Sequence, residues 1–158
     1  MDVKKHFTLS STKQKGVAAI EAVIVLPIII FIMLAVIDFG RVMYVSITTT
    51  NAARAAAGYA AQSTNLVIDT SGIRASALSE ASDLISDAFN SDPVAVSSKR
   101  VCKCSGSSSE VFCTNNLCTG QVEIFVEVTA TRDFRTVVSY PLIPNQLVIS
   151  RTATIRAQ

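Results

Sequence analysis

The feature that most constrains this chain is an apolar run over residues 17–37, VAAIEAVIVLPIIIFIMLAVI, which Asp38 closes. It carries one charge, Glu21, and lacks the polar face that a core helix of a soluble protein presents. At about 1.5 Å per residue the run spans roughly 30 Å as a helix, the thickness of a bilayer's hydrocarbon core. It therefore predicts a transmembrane helix. Pro27 removes one backbone hydrogen bond and is predicted to bend that helix.

Positive charge is concentrated ahead of this run. Residues 1–16 hold four lysines and one aspartate, a formal +3, whereas the rest of the chain holds ten basic and eleven acidic side chains. Behind the run, Arg41 is the nearest cation. This asymmetry predicts a cytoplasmic N-terminus and an external C-terminal part. A body without basic excess argues against nucleic-acid binding. The run is also longer than the ~7–15-residue core of a secretory signal peptide, and no small-residue cleavage site ends it.

The junction before the run, KGVAAIE at residues 15–21, combines a basic tail, a glycine and an intramembrane acid. An ionisable group in a membrane helix is costly and marks a functional position by default. Cleavage after Gly16 would give Val17 a free amine about one helical turn from Glu21. A neighbouring subunit shifted along the helix axis could then pair its amine with this carboxylate, so that Glu21 sets the register. The alternative is that Glu21 reaches water at the cytoplasmic interface.

This junction resembles the cleavage site of type IV prepilins, which a membrane prepilin peptidase cuts. The stretch AAIEAVIVLPIIIFIMLAVIDFGRVMYV, followed by TTTNAARAAAGYAA, resembles the TadE family of pseudopilins, or minor pilins, of tight-adherence (Flp-type) pilus systems. Matching features are Glu21, Leu26 with Pro27, DFGR at residues 38–41 and NAAR at residues 51–54. The C-terminal half also fits, and Ala22 departs from the aromatic usual in this family.

The resemblance implies partners and a location. The partners are other pilin-like subunits, contacted through the N-terminal helix, together with the prepilin peptidase, the pilus assembly platform of the inner membrane and the lipid bilayer. The implied location is the bacterial inner membrane, with the C-terminal domain in the periplasm or outside the cell. The implied role is pilus assembly, with surface adhesion or biofilm formation as its consequence.

Four segments are predicted. Residues 1–16 form a cytoplasmic leader, residues 17–37 the transmembrane helix, residues 38–62 its continuation outside the membrane, and residues 63–158 an extracytoplasmic domain. The continuation is alanine-rich, which favours helix and allows another helix to approach closely. A second, amphipathic helix is predicted from the face shared by Ile73, Ala77, Leu78, Ala81, Leu84, Ile85 and Ala88. Ser71 is predicted to cap this helix and Asp92-Pro93 to stop it.

Strands are predicted after this helix. Residues 122–131 alternate apolar and polar side chains, a two-residue period with one buried face. Residues 134–138 and 147–155 supply further β-rich runs, and residues 94–101 form a weaker fourth candidate. Helices followed by antiparallel strands predict an α+β fold, pilin-like, in which a small sheet covers the apolar face of the second helix.

The four cysteines all follow the predicted span. Cys102, Cys104, Cys113 and Cys118 lie in a predicted loop, residues 102–118, rich in serine and asparagine. An even number in an exported segment predicts disulfides. Cys102 and Cys104 lie on a strand-like stretch where their side chains would diverge or share a face awkwardly, so each is expected to pair with Cys113 or Cys118. The spacing C-x-C-x8-C-x4-C is not a standard zinc pattern, and no metal or other cofactor is expected.

No catalytic constellation is predicted. The single histidine, His6, lies in the leader, so no Ser-His or Cys-His pair can form outside the membrane. The carboxylates Glu123 and Glu127 are expected on the exposed face of a strand, and no glycine-rich phosphate loop occurs. The chain is thus expected to be a minor pilin-like subunit and not an enzyme. The alternative is an uncleaved, membrane-anchored receptor or sensor, which would need neither Gly16 nor Glu21.

Overall fold

The computed structural model of the chain describes residues 15–84, 92–114, 118, 120–141 and 143–157. Residues 1–14 of the predicted leader, and residues 85–88 of the predicted second helix, lie outside these ranges. In chain order the elements are helix α1 (Lys15–Ala60), a 3₁₀ turn (Leu66–Ile68), helix α2 (Thr70–Glu80) and strands β1 (Ala95–Cys104), β2 (Glu110–Val111), β3 (Val122–Arg135) and β4 (Gln146–Arg156). The predicted α+β class is confirmed. The chain divides into two compact units, Met1–Ile37 and Asp38–Gln158.

Helix α1 continues past the apolar run and ends at Ala60, two residues before the predicted end. After residue 47 its sequence is small and alanine-rich, and the favourable helix propensity of alanine carries the helix onward. Buried side chains recur here at helical spacing: Thr48, Thr49, Ala52, Ala53, Ala56, Ala57 and Ala60. A narrow face of small residues lets the rest of the second unit approach the helix backbone closely.

Two predictions about helix α2, its N-terminal cap and its C-terminal end, are wrong. Asp69, and not Ser71, caps its N-terminus: the Asp69 carboxylate accepts a hydrogen bond from the backbone N–H of Gly72 at 3.1 Å. Ser71 lies inside the first turn and donates its hydroxyl to the same carboxylate at 2.6 Å. A carboxylate is the stronger acceptor at this position, and it also suits the positive end of the helix dipole. The helix ends at Glu80, well before the predicted stop at residues 92–93, and turns follow over residues 81–84.

The four strands form one antiparallel sheet in the order β2-β1-β3-β4. Strand β3 is the long central strand. It pairs with β1 from Ala95↔Thr131 to Cys104↔Val122, and with β4 from Phe125↔Arg156 to Arg135↔Gln146. The run predicted separately at residues 134–138 is wrong as a strand of its own. Its first two residues end β3, because β4 continues to pair with them.

The core lies between the sheet and the two helices. Alternate residues of β3, Val126, Val128 and Ala130, are fully buried and belong to one hydrophobic cluster with the alanine face of α1 and with Ile73 and Ala77 of α2. The alternation predicted for residues 122–131 therefore marks the face that the helices cover. As expected for a stripe that packs on the sheet, α2 contacts β1, and four residues of the stripe are buried in this cluster: Ile73, Ala77, Ala81 and Leu84. Ile85 and Ala88 of the predicted stripe lie outside the described residues.

Candidate assembly site

The N-terminal part of α1 presents apolar side chains on all sides. Its most hydropathic 18-residue stretch has a mean hydropathy of 3.0, and none of that stretch is buried. By length and composition the helix is able to cross a membrane. The predicted apolar span thus forms as a helix, with the chemical character that anchoring in lipid requires.

The predicted processing junction lies in the first two turns of α1. The helix begins at Lys15, so Gly16 and Val17 are helical, and Val17 is 68% exposed. The side chain of Glu21 is also exposed, and i,i+4 spacing places it on the same face as Val17. A side chain built at Gly16 would meet nothing within 4 Å. Packing within the described chain therefore does not require glycine at this position.

Pro27 lies inside α1, which continues on both sides of it. Proline has no N–H to donate to the carbonyl of Val23, one turn earlier. The helix accommodates this loss without ending, as membrane helices do. The bend predicted at Pro27 remains a prediction.

Asp38, the first residue of the second unit, is a buried carboxylate that directly follows the apolar run. Its carboxylate accepts hydrogen bonds from the backbone N–H of Val137 at 3.0 and 3.1 Å, and from the hydroxyl of Tyr140 at 3.1 Å. Arg41, one turn further along α1, forms an ion pair with it at 2.9 Å. Asp38 is only 4% exposed. Three groups, the Val137 N–H, the Tyr140 hydroxyl and the Arg41 guanidinium, therefore compensate the burial of this carboxylate.

These contacts determine the ionisation of Asp38. Burial raises the pKa of its carboxyl, but the Val137 N–H, the Tyr140 hydroxyl and Arg41 together outweigh burial, and the pKa is lowered. Arg41 in turn lies over the ring of Phe134, with its guanidinium carbon 5.1 Å from the centroid, and donates to the carbonyl of Arg135 at 3.4 Å. Residues 38–41 thus hold the start of the second unit's helix against the end of β3 and the loop that follows it.

The sequence marked Asp38 as the residue that closes the span and as part of the DFGR motif, but it did not predict these partners. They lie about a hundred residues away, and no local spacing relates Asp38 to Val137 or Tyr140. One available signal was that an acid and a base at i,i+3 spacing follow the last apolar residue of the run.

The cysteines form the two disulfides Cys102–Cys113 and Cys104–Cys118, one of the two pairings that the sequence left open. The prediction that residues 102–118 form a loop is wrong at the start of that range. Cys102 and Cys104 are the last residues of β1, which continues to pair with β3 there, and the short strand β2 lies within the predicted loop.

Beside the first disulfide is a groove of about 360 Å³, bordered by Lys99, Glu110 and the 78%-exposed ring of Phe112. Among the described residues, no cluster of three His, Cys, Asp or Glu side chains could hold a metal ion.

The two carboxylates that the sequence analysis considered as catalytic candidates, Glu123 and Glu127, lie on the central strand β3. Glu123 forms an ion pair with Arg156 at 3.2 Å, and Glu127 lies opposite Lys99 in the register.

Together these features define a class: an α+β protein whose small antiparallel sheet packs on a helix that begins as a candidate membrane anchor. Residues 16–58 match the model of the family described as TadE-like protein. This match confirms the resemblance predicted from the sequence over that segment, which includes Gly16, Glu21, Pro27 and the DFGR motif. Searches among curated proteins and among solved structures found no match. The resemblance of the C-terminal half stays a prediction.

Proposed function

We propose that this chain is a minor pilin-like subunit of a tight-adherence (Flp-type) pilus system and not an enzyme. In this proposal α1 anchors the protein in the bacterial inner membrane, with the leader in the cytoplasm and the second unit outside. A prepilin peptidase removes the leader after Gly16, and the processed chain joins other pilin-like subunits through α1 at the inner-membrane assembly platform. Adhesion and biofilm formation would follow from pilus assembly.

One observation carries the proposal: the junction of Gly16, Val17 and Glu21 opens an exposed apolar helix that matches the TadE-like family model. Gly16 supports it further, because the space around it would admit a side chain. A role in recognition by a peptidase gives a reason for glycine there that packing does not. The two disulfides are consistent with an oxidising compartment beyond the membrane.

The test is the intact mass of the membrane-extracted protein, co-expressed with a prepilin peptidase of a tight-adherence system. We expect a product that lacks residues 1–16 and begins at Val17. Gly16→Leu should stay full length, because a bulky residue would obstruct the cleavage site. Gly40→Leu is the matched control, since a side chain at Gly40 also meets nothing within 4 Å, and it should be cut normally. A full-length wild-type product would favour the uncleaved receptor or sensor instead.

A further inference from the structure

The loop over residues 136–145 joins β3 to β4, and the structure describes all of it except residue 142. Its ends are held together by the hydrogen bond from the backbone N–H of Thr136 to the carbonyl of Asn145 at 3.2 Å. The amide of Asn145 also donates to the hydroxyl of Ser139 at 3.1 Å. We call this closed segment the exit loop.

The exit loop carries apolar side chains that the second unit does not cover. Val137 is 62% exposed and Ile143 is 57% exposed. A single exposed apolar residue on a protein surface needs no explanation. Two on one short loop form an apolar surface of the kind found at membrane interfaces, where apolar side chains enter the headgroup layer.

The position of the loop identifies the partner that this surface fits. Asp38, which follows the last residue of the apolar run through one peptide bond, binds the N–H of Val137 at 3.0 Å and the hydroxyl of Tyr140 at 3.1 Å. Ile143 in turn donates its N–H to the carbonyl of Tyr140 at 3.4 Å. The headgroup layer of one leaflet is roughly 5–7 Å thick. If the apolar run spans the bilayer, Asp38 is thus the first residue to enter this layer, and the loop is bonded directly to Asp38.

We infer that the exit loop is a second membrane contact, in which Val137 and Ile143 enter the headgroup and upper acyl region. The inference rests on the membrane anchoring in the proposed function. Its occupant is the lipid surface itself, because Asp38, which binds the loop, directly follows the last residue of the span. Residues 38–41 then hold this loop at the exit point of the helix, which gives the buried Asp38 a role in membrane attachment.

The chain contains no tryptophan, so a single introduced one reports its own surroundings. The full chain carrying Ile143→Trp is reconstituted, with no other protein, into phosphatidylethanolamine–phosphatidylglycerol vesicles containing a lipid nitroxide-labelled at acyl carbon 5. Phe31→Trp, in the middle of the apolar run, is the positive control. Phe112→Trp is the negative control. Phe112 directly follows β2, whose Val111 pairs with Cys102 of β1, and Cys102 pairs with Ile124 of β3, roughly 33 Å along β3 from Phe134.

We expect Ile143→Trp to lose most of its fluorescence to the labelled lipid and to emit at shorter wavelength than Phe112→Trp, whose fluorescence should be unchanged. Quenching of Phe31→Trp together with an unquenched Ile143→Trp would overturn the inference and leave the membrane anchor intact. An unquenched Phe31→Trp would overturn both the anchor and the inference. Non-reducing mass spectrometry, which should find both disulfides in each variant, verifies that the variants fold.

Discussion

The buried carboxylate of Asp38 accepts a hydrogen bond from the hydroxyl of Tyr140 at 3.1 Å, across 102 residues of sequence. This contact joins the helix, just past its apolar run, to the loop that follows the central strand. It is a long-range contact between two polar groups in a unit whose hydrophobic core is built from alanine, valine, isoleucine and leucine. Its removal should therefore affect both stability and the position of the loop.

Asp38→Asn should destabilise the second unit by about 1.5–3 kcal/mol, because the variant loses the charge that Arg41, Val137 and Tyr140 stabilise. Tyr140→Phe removes one of these bonds and should cost about 0.5–1.5 kcal/mol. Denaturant unfolding of the detergent-solubilised chain, followed by near-UV circular dichroism, measures the loss of stability in each variant. Asp83→Asn, at an exposed aspartate that also accepts from a tyrosine, is the control and should stay within about 0.5 kcal/mol. Equal effects of Asp38→Asn and Asp83→Asn would contradict the assigned role.

Gly72→Ala should destabilise the chain although it lies in a helix. A Cβ at Gly72 would collide with the Tyr59 hydroxyl and the Asp69 carboxylate, which bond each other at 2.8 Å. Such overpacking costs about 1–3 kcal/mol. Gly58→Ala in α1 meets nothing within 4 Å and should be neutral, or stabilising by up to about 1 kcal/mol. The melting temperatures of the two variants test this difference. A Gly72→Ala variant more stable than the wild type would show that Tyr59 and Asp69 leave room for a Cβ at residue 72.

Stability should fall in acid because of Asp69. The Ser71 hydroxyl, the Gly72 N–H and the Tyr59 hydroxyl lower the pKa of Asp69 from 3.8 to about 2. Because the folded-state pKa is below the unfolded one, the stabilisation is fully present above about pH 4 and is lost as pH falls towards 2. Asp38, whose pKa is also lowered, contributes in the same direction. Melting temperatures should therefore drop between about pH 4 and pH 2. In Asp69→Asn they should drop less, and an identical drop would exclude Asp69 as a source.

Glu21→Gln should separate assembly from processing. The variant keeps the apolar span and Gly16, so it should insert and be cut after Gly16. It should not co-purify or crosslink with other pilin-like subunits, and surface pili should decrease, because the carboxylate that pairs with a neighbour's amine is gone. Glu80→Gln, an exposed acid in α2, is the matched control and should assemble normally. Normal piliation by Glu21→Gln would leave Glu21 as an acid that only reaches water at the interface.

Local patterns predicted much of this fold. The two-residue alternation in β3 located the buried face of the central strand, and the alanine-rich stretch after residue 47 predicted the extension of α1. Boundaries that depend on distant partners were predicted less well. Strand β1 continues to Cys104 because β3 pairs with it there, and β3 continues to Arg135 because β4 does. No feature within either segment marks those ends.

The candidate site divides in the same way. The junction at Gly16, the acid at Glu21 and the apolar helix are local chemistry, since charge, hydropathy and spacing within twenty-odd residues define them. The partners of Asp38 and the choice between two disulfide pairings required the tertiary structure. Sequence alone determined the elements and their apolar faces, because these follow from backbone periodicity and side-chain chemistry. Only the tertiary structure decided which distant polar groups meet, because that depends on how the sheet and helices pack.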